Sequence, residues 1–214
     1  METTKVPITL YAEVTPNPAV MKFVANRMLI EGDALEFRNI EEARPAPLAY
    51  QLFHFPFVRE VFISGNFIAL TKFDVIGWEE VTAELREFIR NWIHEGKQVV
   101  DPAAWMAKDT QEPSEEKATK AKMGAPSIAL PDPESLGEVE KRIVEILEEY
   151  VGPAVAQDGG QIKFAGYQDK KVMVLLQGAC NGCPSSTATL QQGIKNLLQK
   201  MLPTLVEEVE AVNG

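Results

Sequence analysis

The N-terminal half of the chain alternates hydrophobic and polar positions in several short runs, a pattern typical of β-strands. ITLYAEVT and ALEFRNI each predict a strand, and VREVFISGNFIALTKF predicts a hairpin that turns at Gly65 and Asn66. AVMKFVANRM follows the turn TPNP and predicts a short helix. GWEEVTAELREFIRNWIHEG has helical spacing of its apolar residues and ends at Gly96, a plausible C-cap. This half therefore predicts an α+β domain, and it contains no recognisable catalytic constellation.

The C-terminal half begins with a helical pattern and continues as a hairpin. The helix is expected to end near Gly152 and Pro153, and QDGG then predicts a turn into the strands QIKFAGYQ and KVMVLLQG. A long amphipathic helix follows CNGCP, and LVEEVEAV alternates as a strand does. The predicted order is α-β-β-α-β, with a helix pair on a small mixed sheet. The first helix presents a predicted apolar face made of Leu136, Val139, Ile143, Ile146, Leu147 and Tyr150.

The segment between the two halves has the composition of a linker. It contains four prolines, dense charge and almost no apolar periodicity. The sequence therefore predicts three parts: an α+β domain over residues 1–104, a flexible linker over 105–135, and a second α+β domain over 136–214.

The net charge, the lengths of the apolar runs and the N-terminal sequence indicate which kinds of partner are not expected. The formal net charge is -10, and both predicted domains are acidic. Residues 1–104 include 10 basic and 15 acidic residues, and residues 136–214 include 7 basic and 10 acidic residues. Nucleic-acid binding is therefore not expected. No apolar run is long enough to span a bilayer, and the N-terminus lacks the apolar region of a secretory signal, so no membrane attachment is expected. On these grounds we predict a cytoplasmic protein.

The two cysteines, Cys180 and Cys183, form a CxxC motif between a predicted strand and a predicted helix. Pro184 fits the first position of that helix. A helix N-terminus favours negative charge and lowers the pKa of a nearby thiol, and the thiolate is the form that binds metal. His54 and His94 are too far apart in sequence to suggest a histidine site, and each has a structural explanation.

A lone CxxC motif is compatible with thiol redox chemistry, zinc, an iron–sulfur cluster or coincidence. In thioredoxin-like proteins the motif lies near the start of its domain, whereas here only 31 residues follow Cys183. One chain supplies two thiolates, while a thiolate zinc site or a cluster usually needs four protein ligands. Two chains could complete the set. A dithiol oxidoreductase and a zinc-bridged structural dimer remain the alternatives to a cluster carrier.

Both halves of the chain carry a family resemblance. VGPAVAQDGGQIKF and VMVLLQGACNGCPSSTATLQQGIKNLL closely resemble the C-terminal domain of NifU and the NifU-like (Nfu) proteins. TPNPAVMKF and VREVFISGNFIALTK resemble the Nfu N-terminal domain, which has no cluster ligands. The assembly-scaffold and ferredoxin-like cysteines of full NifU have no counterpart here, so the resemblance implies a carrier and not a primary assembly site.

The resemblance also implies a cofactor and partners. In that family the CxxC motif binds a [4Fe-4S] cluster between two subunits, and the cluster is passed to apo-enzymes. The implied ligands here are Cys180 and Cys183 of each chain in a homodimer that forms on cluster binding, although four thiolates would also suit a [2Fe-2S] cluster. The implied partners are an upstream assembly scaffold as donor and apo iron–sulfur proteins as clients. Such a carrier is not an enzyme.

Overall fold

The structure is a computed structural model that describes residues 7–101, 136–179 and 184–213. The chain divides into two compact units, with the division between Ala121 and Lys122. Both units combine helices and strands, which confirms the predicted α+β class. The predicted linker, 105–135, lies outside the described residues, and the exact domain boundaries remain a prediction.

The N-terminal unit is built on an antiparallel sheet of five strands in the order β1-β2-β5-β4-β3. Two helices, α1 and α2, complete its described part. The strands and helices are β1 (Leu10–Val14), β2 (Val20–Ala25), β3 (Leu35–Phe37), α1 (Pro47–Leu52), β4 (Val58–Ser64), β5 (Phe67–Lys72) and α2 (Trp78–His94).

Helix α2 packs one face against the core, as the helical spacing of its apolar residues predicted. Val81, Leu85, Ile89 and Ile93 are buried there, together with Phe23 of β2. The Glu80 carboxylate accepts a hydrogen bond from the Gly77 N–H at 3.4 Å, which closes the first turn. These contacts give the N-terminal unit its own core.

The predicted short helix at AVMKFVANRM is wrong, because Val20–Ala25 forms strand β2. β2 lies between β1 and β5, and five of its six residues are buried. A strand buried on both faces loses the alternation of apolar and polar positions that identifies strands in sequence. Lys22 interrupts the apolar run, but its stem is buried and its Nζ lies 4.8 Å from the centroid of the Phe67 ring.

The C-terminal unit has the predicted order of elements and a three-stranded sheet, β6-β7-β8. β6 and β7 are antiparallel, and β7 and β8 are parallel, so the sheet is mixed as expected. Ile143, Val174 and Leu198 are among the buried residues that form a separate core between the helices and the sheet. The elements are α3 (Glu138–Ile146), a π-helical turn (Leu147–Val151), α4 (Gly152–Gln157), β6 (Gly160–Gln168), β7 (Lys171–Gly178), α5 (Pro184–Met201) and β8 (Glu208–Asn213).

The first helix of this unit does not end near Gly152 and Pro153 as predicted. A π-helical turn precedes them, and Pro153 then lies in the first turn of α4, where its missing N–H costs little. The wider π turn moves the buried position by one residue. Val151 is therefore buried and Tyr150 is about half exposed, so the prediction that Tyr150 belongs to the apolar face is also wrong.

The turn between β6 and β7 offers a direct test of local strain. Asp169 and Lys170 have φ angles of 49° and 62°, the left-handed region that a type I′ hairpin turn requires and that Asn-Gly adopts most easily. The double substitution Asp169→Asn with Lys170→Gly is expected to stabilise the C-terminal unit by roughly 1 kcal/mol. Slower amide hydrogen exchange in β6 and β7 would measure the gain.

The control for this prediction is Glu207→Gln. Lys170 donates to Glu207 at 2.6 Å, and this hydrogen bond and the attraction between the charges raise the pKa of Lys170. Because both side chains are exposed to solvent, loss of this pair is expected to leave the free energy of unfolding almost unchanged. Faster exchange in the Asn-Gly variant would contradict the proposed strain.

Candidate metal centre

The two cysteines lie between β7 and α5. β7 ends at Gly178, α5 begins at Pro184, and residues 180–183 themselves lie outside the described residues. The predicted junction of a strand and a helix is therefore confirmed on both sides of the CxxC motif. The hydroxyl groups of Ser185 and Ser186 fit a role in capping this helix by their position in the sequence, but these side chains lie outside the described ones, so capping is a prediction.

The Asp158–Gly160 turn lies against the residue that precedes Cys180. The Ala179 N–H donates a hydrogen bond of 3.2 Å to the Gly159 carbonyl oxygen, and Gly160 pairs with Gly178 as the first pair of the hairpin. Gly159 has φ of +80°, which favours glycine. The sequence predicted a tight turn here but did not place it beside the cysteines. The hairpin register was the signal available, because it brings the start of β6 to the end of β7.

Helix α5 is fixed by packing and by two side-chain hydrogen bonds. Ile194 and Leu198 are buried in the core. Gln191 donates to the carbonyl oxygen of Val209, and Gln199 donates to that of Glu207 at 3.1 Å. The first turn of α5 contains no acidic residue, so nothing in it opposes the attraction of the helix N-terminus for anionic ligands. The residue that follows Cys183 is therefore held by a rigid element.

No alternative metal site appears among the described residues, where no group of three or more His, Cys, Asp or Glu side chains could hold a metal ion. His54 Nδ1 lies 3.0 Å from the Tyr50 carbonyl oxygen, and His94 ends α2.

A groove of about 480 Å³ lies at the far end of the C-terminal sheet from the cysteines. Its lining includes Asp169, Lys171, Glu208 and Glu210. Lys171 Nζ lies 2.7 Å from the Glu210 carboxylate, which raises the pKa of Lys171. The charges of this groove are at least partly paired, and eight-residue β7 separates it from the CxxC motif by roughly 25 Å.

Two family profiles match the chain in the same order as the two units. Residues 10–96 match the N-terminal domain of the Nfu/NifU scaffold proteins, and residues 143–210 match the NifU-like domain. The second match contains both cysteines.

Individual relatives match over nearly the whole chain. NifU-like protein 4, mitochondrial, of Arabidopsis thaliana is 31% identical over 206 residues, which are 95% of this chain and 64% of that protein. The human protein named NFU1 iron-sulfur cluster scaffold homolog, mitochondrial, is 33% identical over 199 residues, which are 92% of this chain and 69% of that protein. The chain thus spans about two thirds of the length of these relatives. The solution structure of a NifU-like protein from Saccharomyces cerevisiae is 21% identical and covers 48% of this chain and 92% of its own, with a TM-score of 0.42.

The predicted cytoplasmic location is contradicted by these comparisons, because both relatives are named mitochondrial. That prediction depended on the lack of a secretory signal and of a long apolar run, and neither feature distinguishes the cytoplasm from the interior of an organelle. None of the helices in the described part of the chain has the length and hydrophobicity of a membrane-spanning helix.

Proposed function

The chain belongs to the Nfu/NifU family of iron–sulfur cluster scaffold proteins, and from this premise we propose that it carries a [4Fe-4S] cluster between two copies of itself. Cys180 and Cys183 of each copy are the proposed ligands. The cluster comes from an upstream assembly scaffold and is transferred to apo iron–sulfur proteins. In this role the cluster is cargo, and the protein is not an enzyme.

The observation that carries this proposal is the position of the cysteine pair between two anchored flanks. Ala179 is tied to the Gly159 turn, and Pro184 starts a helix that the core holds in place. These flanks fix both ends of a segment that supplies two thiolates. Since no further metal-binding cluster lies among the described residues, the remaining two ligands are best supplied by a second copy.

This arrangement suits release as well as binding. A client thiolate that approaches the cluster replaces one cysteine thiolate at a time, so each step exchanges one iron–sulfur bond for another and involves no net oxidation or reduction. Ala179 and Pro184 anchor the chain on either side of the cysteine segment. Each copy retains only two bonds to the cluster, so that release requires fewer bonds to be exchanged per chain than in a single-chain, four-cysteine site.

Cluster binding and dimerisation are therefore expected to be linked. The apo-protein should be mainly monomeric, and anaerobic reconstitution should convert it to a dimer with four iron and four sulfide ions per two chains. Analytical ultracentrifugation before and after reconstitution, with iron and sulfide analysis of the same fractions, measures both quantities.

The same experiment distinguishes a cluster carrier from a zinc-bridged dimer and from a dithiol oxidoreductase. A cluster protein is brown, whereas a zinc-bridged dimer and a dithiol oxidoreductase are colourless. A holo-protein that remains monomeric without added thiols would contradict the shared site. A colourless dimer that forms with zinc and takes up no iron or sulfide would favour the structural zinc alternative.

A further inference from the structure

Two loops lie side by side at one end of the N-terminal sheet. The first loop, 14–19, starts at the last residue of β1, leads to β2 and contains the TPNP turn. The second loop, 73–77, connects β5 to α2. The Lys72 N–H donates a hydrogen bond of 2.9 Å to the Ala19 carbonyl oxygen, which brings the start of the second loop to the end of the first. These two segments are the paired loops.

Hydrogen bonds fix the shape of the first of the paired loops. The Trp78 Nε1–H donates to the Pro18 carbonyl oxygen at 3.0 Å, and so ties this loop to the start of α2. Within the loop, the Thr15 hydroxyl donates to the Asn17 carbonyl oxygen at 2.9 Å, and the Asn17 Oδ1 accepts the Ala19 N–H at 3.0 Å. Because the loop is already ordered, a partner that binds there loses little free energy in ordering it.

The paired loops expose apolar side chains to solvent. Val14 is 84% exposed, Val75 is 75% exposed and Phe73 is about half exposed. Pro16 and Pro18 of the first loop are exposed as well. Single exposed apolar residues are common, but several of them gathered on one ordered surface are typical of a site that binds a partner.

Acidic groups surround this apolar surface. Asp74, Glu79 and Glu80 are exposed, and the first turn of α2 contains the two glutamates. Lys72, just before the second loop, is buried, and its Nζ lies 3.9 Å from the Asp74 carboxylate. Three carboxylates and one ammonium group leave a net charge of −2 over residues 72–80. The surface therefore complements a partner with positive charge.

The charge also argues against other occupants of this surface. In a symmetric pair of copies joined through the paired loops, these carboxylates would approach the same carboxylates of the second copy. The second domain of the same chain is acidic too, with 7 basic and 10 acidic residues in 136–214. The phosphate groups of nucleic acids and of anionic lipids would be repelled in the same way.

We propose that the paired loops bind a segment of a client protein in which apolar side chains stand beside lysine or arginine. The apolar side chains of that segment pack on Val14, Phe73 and Val75, and its cations face Asp74 and Glu79. This inference rests on the proposed function, because a cluster carrier must be held beside the protein that receives the cluster.

Three short synthetic peptides test the required chemistry on the full apo-chain. The first is a lysine peptide that contains two leucines, the second has serine in place of both leucines, and the third has glutamate in place of the lysines. The first should shift the amide NMR signals of residues 14–19 and 73–80, and it should bind at least about tenfold more tightly than the other two. Its affinity should fall as salt is added, because salt screens the charges.

Substitution of the apolar side chains should weaken this binding. Phe73→Ser combined with Val75→Ser should lower the affinity for the leucine–lysine peptide by at least about tenfold, because the peptide then buries less apolar surface. The matched control is Met28→Ser, which removes a side chain that is 58% exposed beyond the other end of β2. Circular dichroism should be unchanged for both variants, and only the first should bind the peptide more weakly.

A charge reversal tests the electrostatic part of the inference. Asp74→Lys should weaken binding of the leucine–lysine peptide several-fold and reduce its dependence on salt. The control is Glu95→Lys, which changes the net charge by the same amount just beyond the other end of α2, about 25 Å away. This control should bind the peptide almost as well as the wild type does.

Delivery of a cluster tests whether the partner is a client. The Phe73→Ser and Val75→Ser double variant should load the same amount of cluster as the wild type. It should deliver the cluster more slowly than the wild type to an apo-aconitase-like acceptor when both proteins are dilute, and equally fast when both are concentrated. The Met28→Ser control should deliver at the wild-type rate throughout.

Several results would overturn the inference. Equal affinities for the three peptides, or amide shifts that leave 14–19 and 73–80 unchanged, would contradict the binding surface. An apo-dimer that the double variant converts to monomers would assign the surface to a second copy, and shifts of signals in 136–213 caused by the double variant alone would assign it to the second domain. In a chain that loads a cluster normally, each of these results leaves the proposed function intact. If the wild type takes up no cluster, the proposed function fails, and the assignment of the partner as a client fails with it.

Discussion

Replacement of Cys180 or Cys183 by serine is expected to abolish stable retention of a cluster and leave the fold unchanged. In a site shared by two identical chains, one substitution removes two of the four thiolates at once. A serine hydroxyl stays protonated at neutral pH and is a poor ligand for iron compared with a thiolate. Iron and sulfide analysis after anaerobic reconstitution and desalting should therefore find close to none of either element.

The fold should tolerate these substitutions because both elements that flank the motif are anchored elsewhere. β7 is paired on both sides, and α5 packs its buried face on the core. Far-ultraviolet circular dichroism should match that of the wild type. Ser185→Ala, a change in the first turn of α5 that keeps both thiols, is the control and should retain the full cluster content. A serine variant with normal iron and sulfide would remove that cysteine from the ligand set.

The sequence predicted the elements that carry a clear period or a turn signal. Helix α2 and the helices of the C-terminal unit were recognisable because helical spacing marks one face as apolar, and the β4–β5 hairpin was recognisable because two β-rich runs flank Gly65 and Asn66. β2 was misread because a central strand is buried on both faces. α1, six residues long and starting at Pro47, was missed because it is too short to show a period. The π turn was missed because a one-residue change of helical phase leaves no signature in composition.

Of the candidate site, the sequence predicted the ligands but not the contacts around them. CxxC and Pro184 indicated a metal site at the start of a helix, and the structure confirms the flanking elements. The contact between Gly159 and Ala179 depends on hairpin register, which one turn residue more or less would shift.

Removal of residues 1–135 is expected to leave cluster binding intact and to slow cluster delivery strongly at low concentration. We propose that residues 136–214 carry the cluster and residues 1–104 recognise clients or donors. The described part of each unit has a separate hydrophobic core, and both cysteines are in the second unit. An ordered domain that lacks cluster ligands is better explained by recognition than by cluster chemistry.

The expected difference in the rate of cluster delivery follows from the covalent connection between the two domains. The segment 105–135 has the composition of a flexible linker, and a random coil of that length reaches on the order of 30 Å. A client held by the N-terminal domain would meet the cluster at an effective concentration near the millimolar range. With free proteins at about 1 μM, the tethered cluster should therefore be delivered roughly 10²–10³ times faster, and the advantage should disappear as both proteins approach millimolar concentration.

The experiment compares three preparations loaded with the same amount of cluster: the full chain, residues 136–214 alone, and residues 136–214 with residues 1–104 added as a separate chain. Recovered activity of an apo-aconitase-like acceptor measures delivery over a dilution series. Equal cluster content and circular dichroism typical of a folded domain must first establish that the isolated C-terminal domain is loaded normally. Only the full chain should remain fast on dilution, because tethering requires a covalent connection. If the separate N-terminal domain restored fast delivery, residues 1–104 would act by activating the client and not by tethering. Equal rates for all three preparations at every dilution would contradict a role for residues 1–104 in client recognition.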